Sequence, residues 1–256
     1  MEKSNEKKEV KKHMVIIYNI IADLFILYIF VHFAAFFAVM IASRRKRKKY
    51  LKNNVFINGS FSSNLPAERD SFFRRQYRKL DPFASGLTKY VSIQISKIPS
   101  NSIRCWMVKR ILASGVSRNT VIYHGAIFRG APKIDIGQGT VIGDDCLLDG
   151  RGGLTIGENC NLSTGVKIWT AQHDMNSPDF AYEDAEVKIG NRCWISGGVT
   201  ILPGVTIGEG CVIASAAVVT KNCEPFGIYA GIPAKRIGER NQDLRYVFDG
   251  KHDWFM

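Results

Sequence analysis

At 256 residues the chain has room for one sizeable domain with accessories, and too little for two full domains plus a membrane segment. Its formal charge of +12 is uneven: residues 1–50 carry 11 Lys and Arg against 4 acids, residues 51–115 carry 11 against 3, and the remaining 141 carry 13 against 16. A basic front ahead of a slightly acidic remainder argues against a nucleic-acid binder, whose positive face belongs to the folded domain.

Residues 1–13 read as a short charged extracytoplasmic tail. Residues 14–43 read as a transmembrane helix, because the stretch 14–42 has Asp23 as its one charged side chain and contains neither Pro nor Gly. Its uncharged part, 24–42, is about 28 Å long as a helix, close to a hydrocarbon core of about 30 Å. The run Arg44-Arg45-Lys46-Arg47-Lys48-Lys49 comes directly after it. A cleaved signal peptide does not normally run into such a segment, and the positive-inside rule places the large C-terminal part in the cytoplasm. Asp23 then lies toward the far interface. A helix lying in or re-entering one leaflet stays open as a rival, since 29 residues exceed what one span needs.

Residues 44–115 read as a basic juxtamembrane region and helical spacer. Helical patterns run over 87–97 and 103–112, with Pro99-Ser100-Asn101-Ser102 as the turn and cap between them. Arg74, Arg75, Arg78 and Lys79 either face anionic lipid or hold the phosphates of a lipid-linked acceptor.

From Ile136 an aliphatic residue returns every six positions: Ile136, Ile142, Leu148, then after a two-residue slip Ile156, Leu162, Ile168, and after a longer interruption Ile189, Ile195, Ile201, Ile207, Ile213 and Val219. Two positions earlier stand small or β-branched residues, among them Cys146, Cys160, Cys193 and Cys211, and Cys223 continues that phase. These thiols read as core fillers in a reducing compartment, with no CxxC pair and no zinc spacing. A six-residue unit cannot bury one aliphatic side chain alone, so the units must stack as a parallel β-helix over 116–238. Twelve clear hexads predict about four coils of three. Residues 239–256 are expected to form a helical tail.

The restarts VTIGEG, LTIGEN and VKIGNR resemble the hexapeptide-repeat acyltransferases. The resemblance implies an all-β, left-handed parallel β-helix that assembles as a homotrimer and uses acetyl-CoA. The segment TAQHD followed by SPDFAY resembles the sugar O-acetyltransferases of that family, of the maltose, galactoside and colanic-acid or capsule type, and places the catalytic base at His173. A His with an ordinary pKa near 6.5 takes the proton of an attacking hydroxyl and returns it to the departing thiolate. The interruption from Ile168 to Ile189 is 21 residues against 18 for three hexads, which predicts three extra residues as a loop and places Trp194 one coil on from His173 in the same column. Trp169, Trp194 and Glu183 are thus expected to bind substrate. Backbone N–H groups around Ser196-Gly197-Gly198 are expected to hold the oxyanion.

A Glu that assists the His in the maltose and galactoside enzymes is Ala181 here, which leaves Asp174, Asp179, Glu183 and Asp149 open as the group that orients the imidazole. The resemblance further implies Gly197, Ser215, Thr220 and Lys221 along the acetyl-CoA path, with Arg236 or Arg240 for its phosphates. The expected protein is a single-pass bacterial inner-membrane O-acetyltransferase, its catalytic domain cytoplasmic, acting on a sugar or lipid-linked glycan of a surface polysaccharide. N-acetylation of a nucleotide-linked amino sugar and a non-catalytic trimeric scaffold are the alternatives. A carbonic anhydrase, which needs three His on one zinc, is set aside, and no metal site is expected.

Overall fold

The computed structural model describes residues 2–55 and 72–252, and the chain divides into two compact units, 1–38 and 39–256. Helix α1 (Glu2–Val55) supplies the first unit and enters the second. It begins well ahead of the apolar stretch, so residues 2–13 are helical rather than a tail. Neither Pro nor Gly interrupts its 54 residues. Ile20–Lys52 is long and apolar enough to cross a membrane, with mean hydropathy 2.6 in its most apolar window. The side chains of residues 24–31 are each more than half exposed.

The second unit is a left-handed parallel β-helix with three faces. The first face stacks Gly115–Val116, Ile134–Ile136, Leu154–Ile156, Val187–Ile189 and Thr206–Ile207. The second stacks Val121–Ile122, Val141–Ile142, Asn161–Leu162, Trp194–Ile195, Val212–Ile213 and Gly227–Ala230. The third stacks Ile127–Arg129, Leu147–Asp149, Lys167–Ile168, Thr200–Ile201 and Val218–Val219. The hexad aliphatics all point inward: from Ile136 to Val219 none is more than 3% exposed. Cys146, Cys160, Cys193 and Cys211 are wholly buried beside them. Burial pushes the Cys146 and Cys223 thiols up to about 12. At the corners the chain turns through the left-handed region every six residues, at Arg192, Gly198, Gly204, Gly210 and Ala216. At Gly157 an added Cβ would stand 2.7 Å from the backbone N of Asn191 in the next coil, so only glycine fits.

The register revises the coil count and the length of the interruption. Six parallel strands stack on the second face, so there are about six coils rather than four; the first of them, around Val116, Ile122 and Phe128, precedes the regular hexads. Ile168 and Ile189 stand on successive faces, not on one. Trp194 therefore pairs with Asn161, 33 positions back, whereas Val212 lies 18 beyond Trp194; the interruption carries fifteen extra residues, not three.

Helices α2 (Phe72–Ser96) and α3 (Asn101–Arg110) close the first coil, taking up backbone groups that an open sheet edge would leave bare. Ser92 Oγ accepts from Phe128 N at 2.9 Å, and Asn101 Oδ1 accepts from Ile122 N at 2.8 Å. Arg104, 1% exposed, donates Nε to Ile122 O at 2.9 Å and Nη1 to Ile98 O. Ser100 occupies the cap position of α3 without a side-chain cap bond. The side chains of Arg74, Arg75, Arg78 and Lys79 lie outside the described residues.

The C-terminal segment is not helical over the described residues. Lys235–Glu239 pairs antiparallel with Gly227–Ala230, and 240–252 is irregular. Side chain and main chain bind the coils instead: Tyr246 OH donates to Arg192 O at 2.8 Å, and Phe248 N donates to Asn159 Oδ1 at 3.0 Å. Without apolar periodicity the segment gains more from these bonds than from a helix of its own.

Candidate active site

The fifteen inserted residues leave the corner between the third and first faces as an antiparallel hairpin, Ala171–His173 against Tyr182–Asp184. Within it His173 faces Tyr182. Its ring stacks on Phe180, with centroids 4.0 Å apart and an interplanar angle of 9°, and meets the Tyr182 ring edge-on at 6.0 Å. Nδ1 lies 2.9 Å from Phe180 O. A carbonyl oxygen only accepts, so Nδ1 carries the proton of the neutral ring and Nε2 keeps its lone pair. Phe180 itself has a left-handed φ of 51°, part of the turn that directs its carbonyl at the imidazole.

The orienting group is thus a backbone carbonyl, and none of the four carboxylates. Asp174 Oδ1 accepts from Asn176 N at 2.9 Å, closing its own turn, while Asp174 N donates to Ala181 O. Asp179 and Glu183 are exposed. Asp149 is fully buried and grips Arg151, with Nη2 donating to Oδ2 at 2.8 Å and Nε to Oδ1 at 3.0 Å. The pair fastens the base of the hairpin: Thr170 N points at Asp149 Oδ2 at 3.4 Å, Gly152 N donates to Thr170 Oγ1 at 2.9 Å, and Ala185 N donates to Thr170 O. The Asp149 carboxylate in turn raises the Arg151 pKa.

Trp169 lies at this corner with the Arg129 guanidinium 5.6 Å over its ring. Trp194 does not share the column of His173. It stands on the second face, about half exposed, with Nε1 donating to Ser163 Oγ at 3.3 Å, and lines a cleft with Tyr246 and Phe248. The column arithmetic fails because a hairpin that leaves the ladder has no column.

Residues 186–221 match the family model described as bacterial transferase hexapeptide (six repeats). The "Putative colanic acid biosynthesis acetyltransferase WcaF" of Escherichia coli (strain K12) is 31% identical over 131 residues, which cover 51% of this chain and 72% of that protein. The chain belongs to the hexapeptide-repeat acetyltransferases. Among solved structures, a galactoside acetyltransferase in complex with coenzyme A superposes with a TM-score of 0.58 and 26% identity, over 70% of this chain and 90% of that one. A maltose O-acetyltransferase from Clostridium difficile 630 does so with 0.54 and 26%, over 62% and 87%.

In this acetyltransferase the corner between the second and third faces carries only small residues in three successive coils, where a Cβ added at Gly165 would stand 3.9 Å from Gly198 Cα and one added at Gly198 would stand 4.0 Å from Ala216 Cα. Gly197 and Ser215 lie in the same turns, and Thr220 and Lys221 are exposed just beyond the last third-face strand. Ser196 N and Gly198 N are spent on Ile213 O and Thr164 O, so of that trio Gly197 N–H stands outside the inter-coil bonds of the described residues. Arg240 is occupied by structure, donating Nη1 to Arg192 O at 2.8 Å and to Gly210 O at 3.1 Å. Arg236 is half exposed, with Glu239 at 3.5 Å. Sequence reasoning passed over Phe180 and Arg151. The first stands in the SPDFAY segment, but a main-chain contact leaves no side-chain signature; the second is marked only by lying in the two-residue slip after Leu148.

Proposed function

We propose that this enzyme is a membrane-anchored O-acetyltransferase that moves acetyl from acetyl-CoA to a sugar hydroxyl of a surface-polysaccharide precursor. The observation that carries the chemistry is the contact of His173 Nδ1 with Phe180 O, on an exposed, projecting hairpin, which leaves Nε2 free to act as a base. Nε2 takes the hydroxyl proton as that oxygen attacks the thioester carbon. The C–S bond then breaks, and the imidazolium proton passes to the departing thiolate. Gly197 N–H is the donor we assign to the intermediate oxyanion.

Acetyl-CoA fits the small-residue corner, where an extended pantetheine chain lies along Gly165, Gly198 and Ala216 and meets no side chain longer than Ser215. Arg236 and Lys221 then serve its phosphates, with Arg240 left to the fold. That corner is one face away from the corner bearing the hairpin, about 20 Å at six residues of extended chain. A second copy that brings its slot to the hairpin completes the site, which favours a homotrimer with sites between copies. The sugar acceptor rests on the likeness to galactoside and maltose enzymes and to WcaF, and the anchor on α1. The apolar helix and the basic run after it support a catalytic unit on the cytoplasmic side, by the positive-inside rule.

Full-length protein supplied with acetyl-CoA and bacterial glycans should yield glycan heavier by one acetyl group in mass spectra. His173→Ala should lower kcat by about 10² to 10⁴ while acetyl-CoA binding persists. A variant with near-normal turnover removes the central claim.

A further inference from the structure

The corner that bears the hairpin holds a second feature in the two preceding coils. A pocket of about 260 Å³ opens there between residues 42–46 of α1, helix α2 and the corner residues. Its charged lining residues are Lys46 from α1, Lys89 from α2, and Arg129 and Arg151 from successive corners; among the described residues no carboxylate lines it. Arg151 is compensated by Asp149. Lys46, Lys89 and Arg129 form no ion pair among the described residues. Three uncompensated cations brought together from three separate elements repel one another, and an anion among them removes that repulsion. The Arg129 guanidinium is held in place over Trp169.

We infer that this pocket takes the phosphate or diphosphate of an acceptor whose apolar chain stays in the bilayer; the inference rests on the membrane-anchored reading above. Two observations select this source of phosphate. Ala42 is the last residue of the apolar stretch 14–42, and Ser43 and Lys46, which also line the pocket, follow it on the same helix where the basic run begins. Arg151 and Arg129 lie one and two coils before Trp169, so the pocket is about 5 to 10 Å from the base of the hairpin at the usual strand spacing. That gap has room for a sugar or two between the phosphate and the hydroxyl offered to His173. Bulk lipid headgroups account for Lys46 but give no reason for Arg129 of the β-helix to share the space with Lys89 without a carboxylate partner among the described residues.

The test uses full-length protein in nanodiscs of neutral lipid, titrated with farnesyl diphosphate and with inorganic pyrophosphate, and repeated with phosphatidylglycerol replacing the neutral lipid. Farnesyl diphosphate should bind, and pyrophosphate should displace it at higher concentration. Lys89→Gln combined with Arg129→Gln should weaken binding at least about tenfold, since charge-assisted hydrogen bonds are lost. Lys46→Gln alone, an exposed change that spares the fold, should weaken it in the same direction. Unchanged binding in these variants overturns the inference. So does phosphatidylglycerol that abolishes binding as fully as pyrophosphate does, because the pocket is then a rim for ordinary headgroups. Acetyl transfer is not the readout, so wild-type protein that binds farnesyl diphosphate but acetylates no glycan sinks the sugar O-acetylation reading and leaves the pocket standing.

Discussion

A carbonyl oxygen decides which nitrogen of His173 carries the proton, and a phenyl ring decides how the imidazole lies. Phe180 supplies both. Phe180→Ala keeps the carbonyl and removes the stack, worth about 0.5–1.5 kcal/mol, so kcat should fall roughly 2- to 10-fold with little change in KM. Steady-state kinetics on a soluble glycan check this, and a fall as large as that of His173→Ala would mean that the ring does more than hold the imidazole. The buried thiols make a second residue-scale prediction. Burial raises Cys146 and Cys223 from 9.0 to about 12 and Cys105 to about 11. A raised folded-state pKa means that the unfolded chain loses its protons first. The stabilisation is whole below pH 9 and is lost as pH rises toward 12, at up to about 1.4 kcal/mol per pH unit for each thiol. Denaturant midpoints should therefore be flat from pH 7 to 8.5 and fall steeply above 9.5. Thiol reagents should label Cys146 and Cys223 only after unfolding.

The hairpin stands on a buried ion pair. In Asp149→Asn the amide keeps the volume but loses the charge that meets Arg151, and Arg151, being partly exposed, can hydrate. The expected cost is about 1–3 kcal/mol, concentrated at the hairpin base. Amide exchange at Ala185 and Gly152 should quicken while exchange at core residues such as Ile195 stays slow. Uniform acceleration would show that Asp149 supports the whole β-helix rather than the hairpin. The hexads were legible because each coil buries one aliphatic residue per face, so packing wrote itself into the spacing of Ile189, Ile195, Ile201 and Ile207. The location of His173 was legible for the same reason: it falls where the spacing breaks. Its partners were not, because the bond to Nδ1 comes from the Phe180 main chain, the ring stack falls in a hairpin outside the hexad spacing, and Trp194 reaches the surface from another face. The tail misled as well, since Arg240 and Tyr246 bind backbone carbonyls, for which no periodic pattern is needed.

At the scale of the molecule, the place to cut α1 is residue 39 and not Tyr50. Val39 and Ser43 are 2% and 3% exposed, and Arg47 pairs with Asp135 and donates to Pro132 O at 3.0 Å. Protein starting at Val39 should keep its thermal midpoint and its turnover on a soluble glycan while losing membrane association. Protein starting at Tyr50 should melt several degrees lower, and equal melting of the two would show these contacts to be idle. Flotation with vesicles and thermal scans separate the outcomes. The coils also differ in length, and they do so at one edge. Register partners are 20 apart across the first two coil junctions, 33 across the third, 18 across the fourth and 16 across the last, and every added residue lies at the corner between the third and first faces. The ladder cannot sense what happens at that edge, because the strands on either side resume in phase whatever intervenes. One seam of the prism is therefore open to editing, and segments of other lengths, grafted there in place of 172–183, should leave the rest of the solenoid folded while changing what the enzyme acts upon.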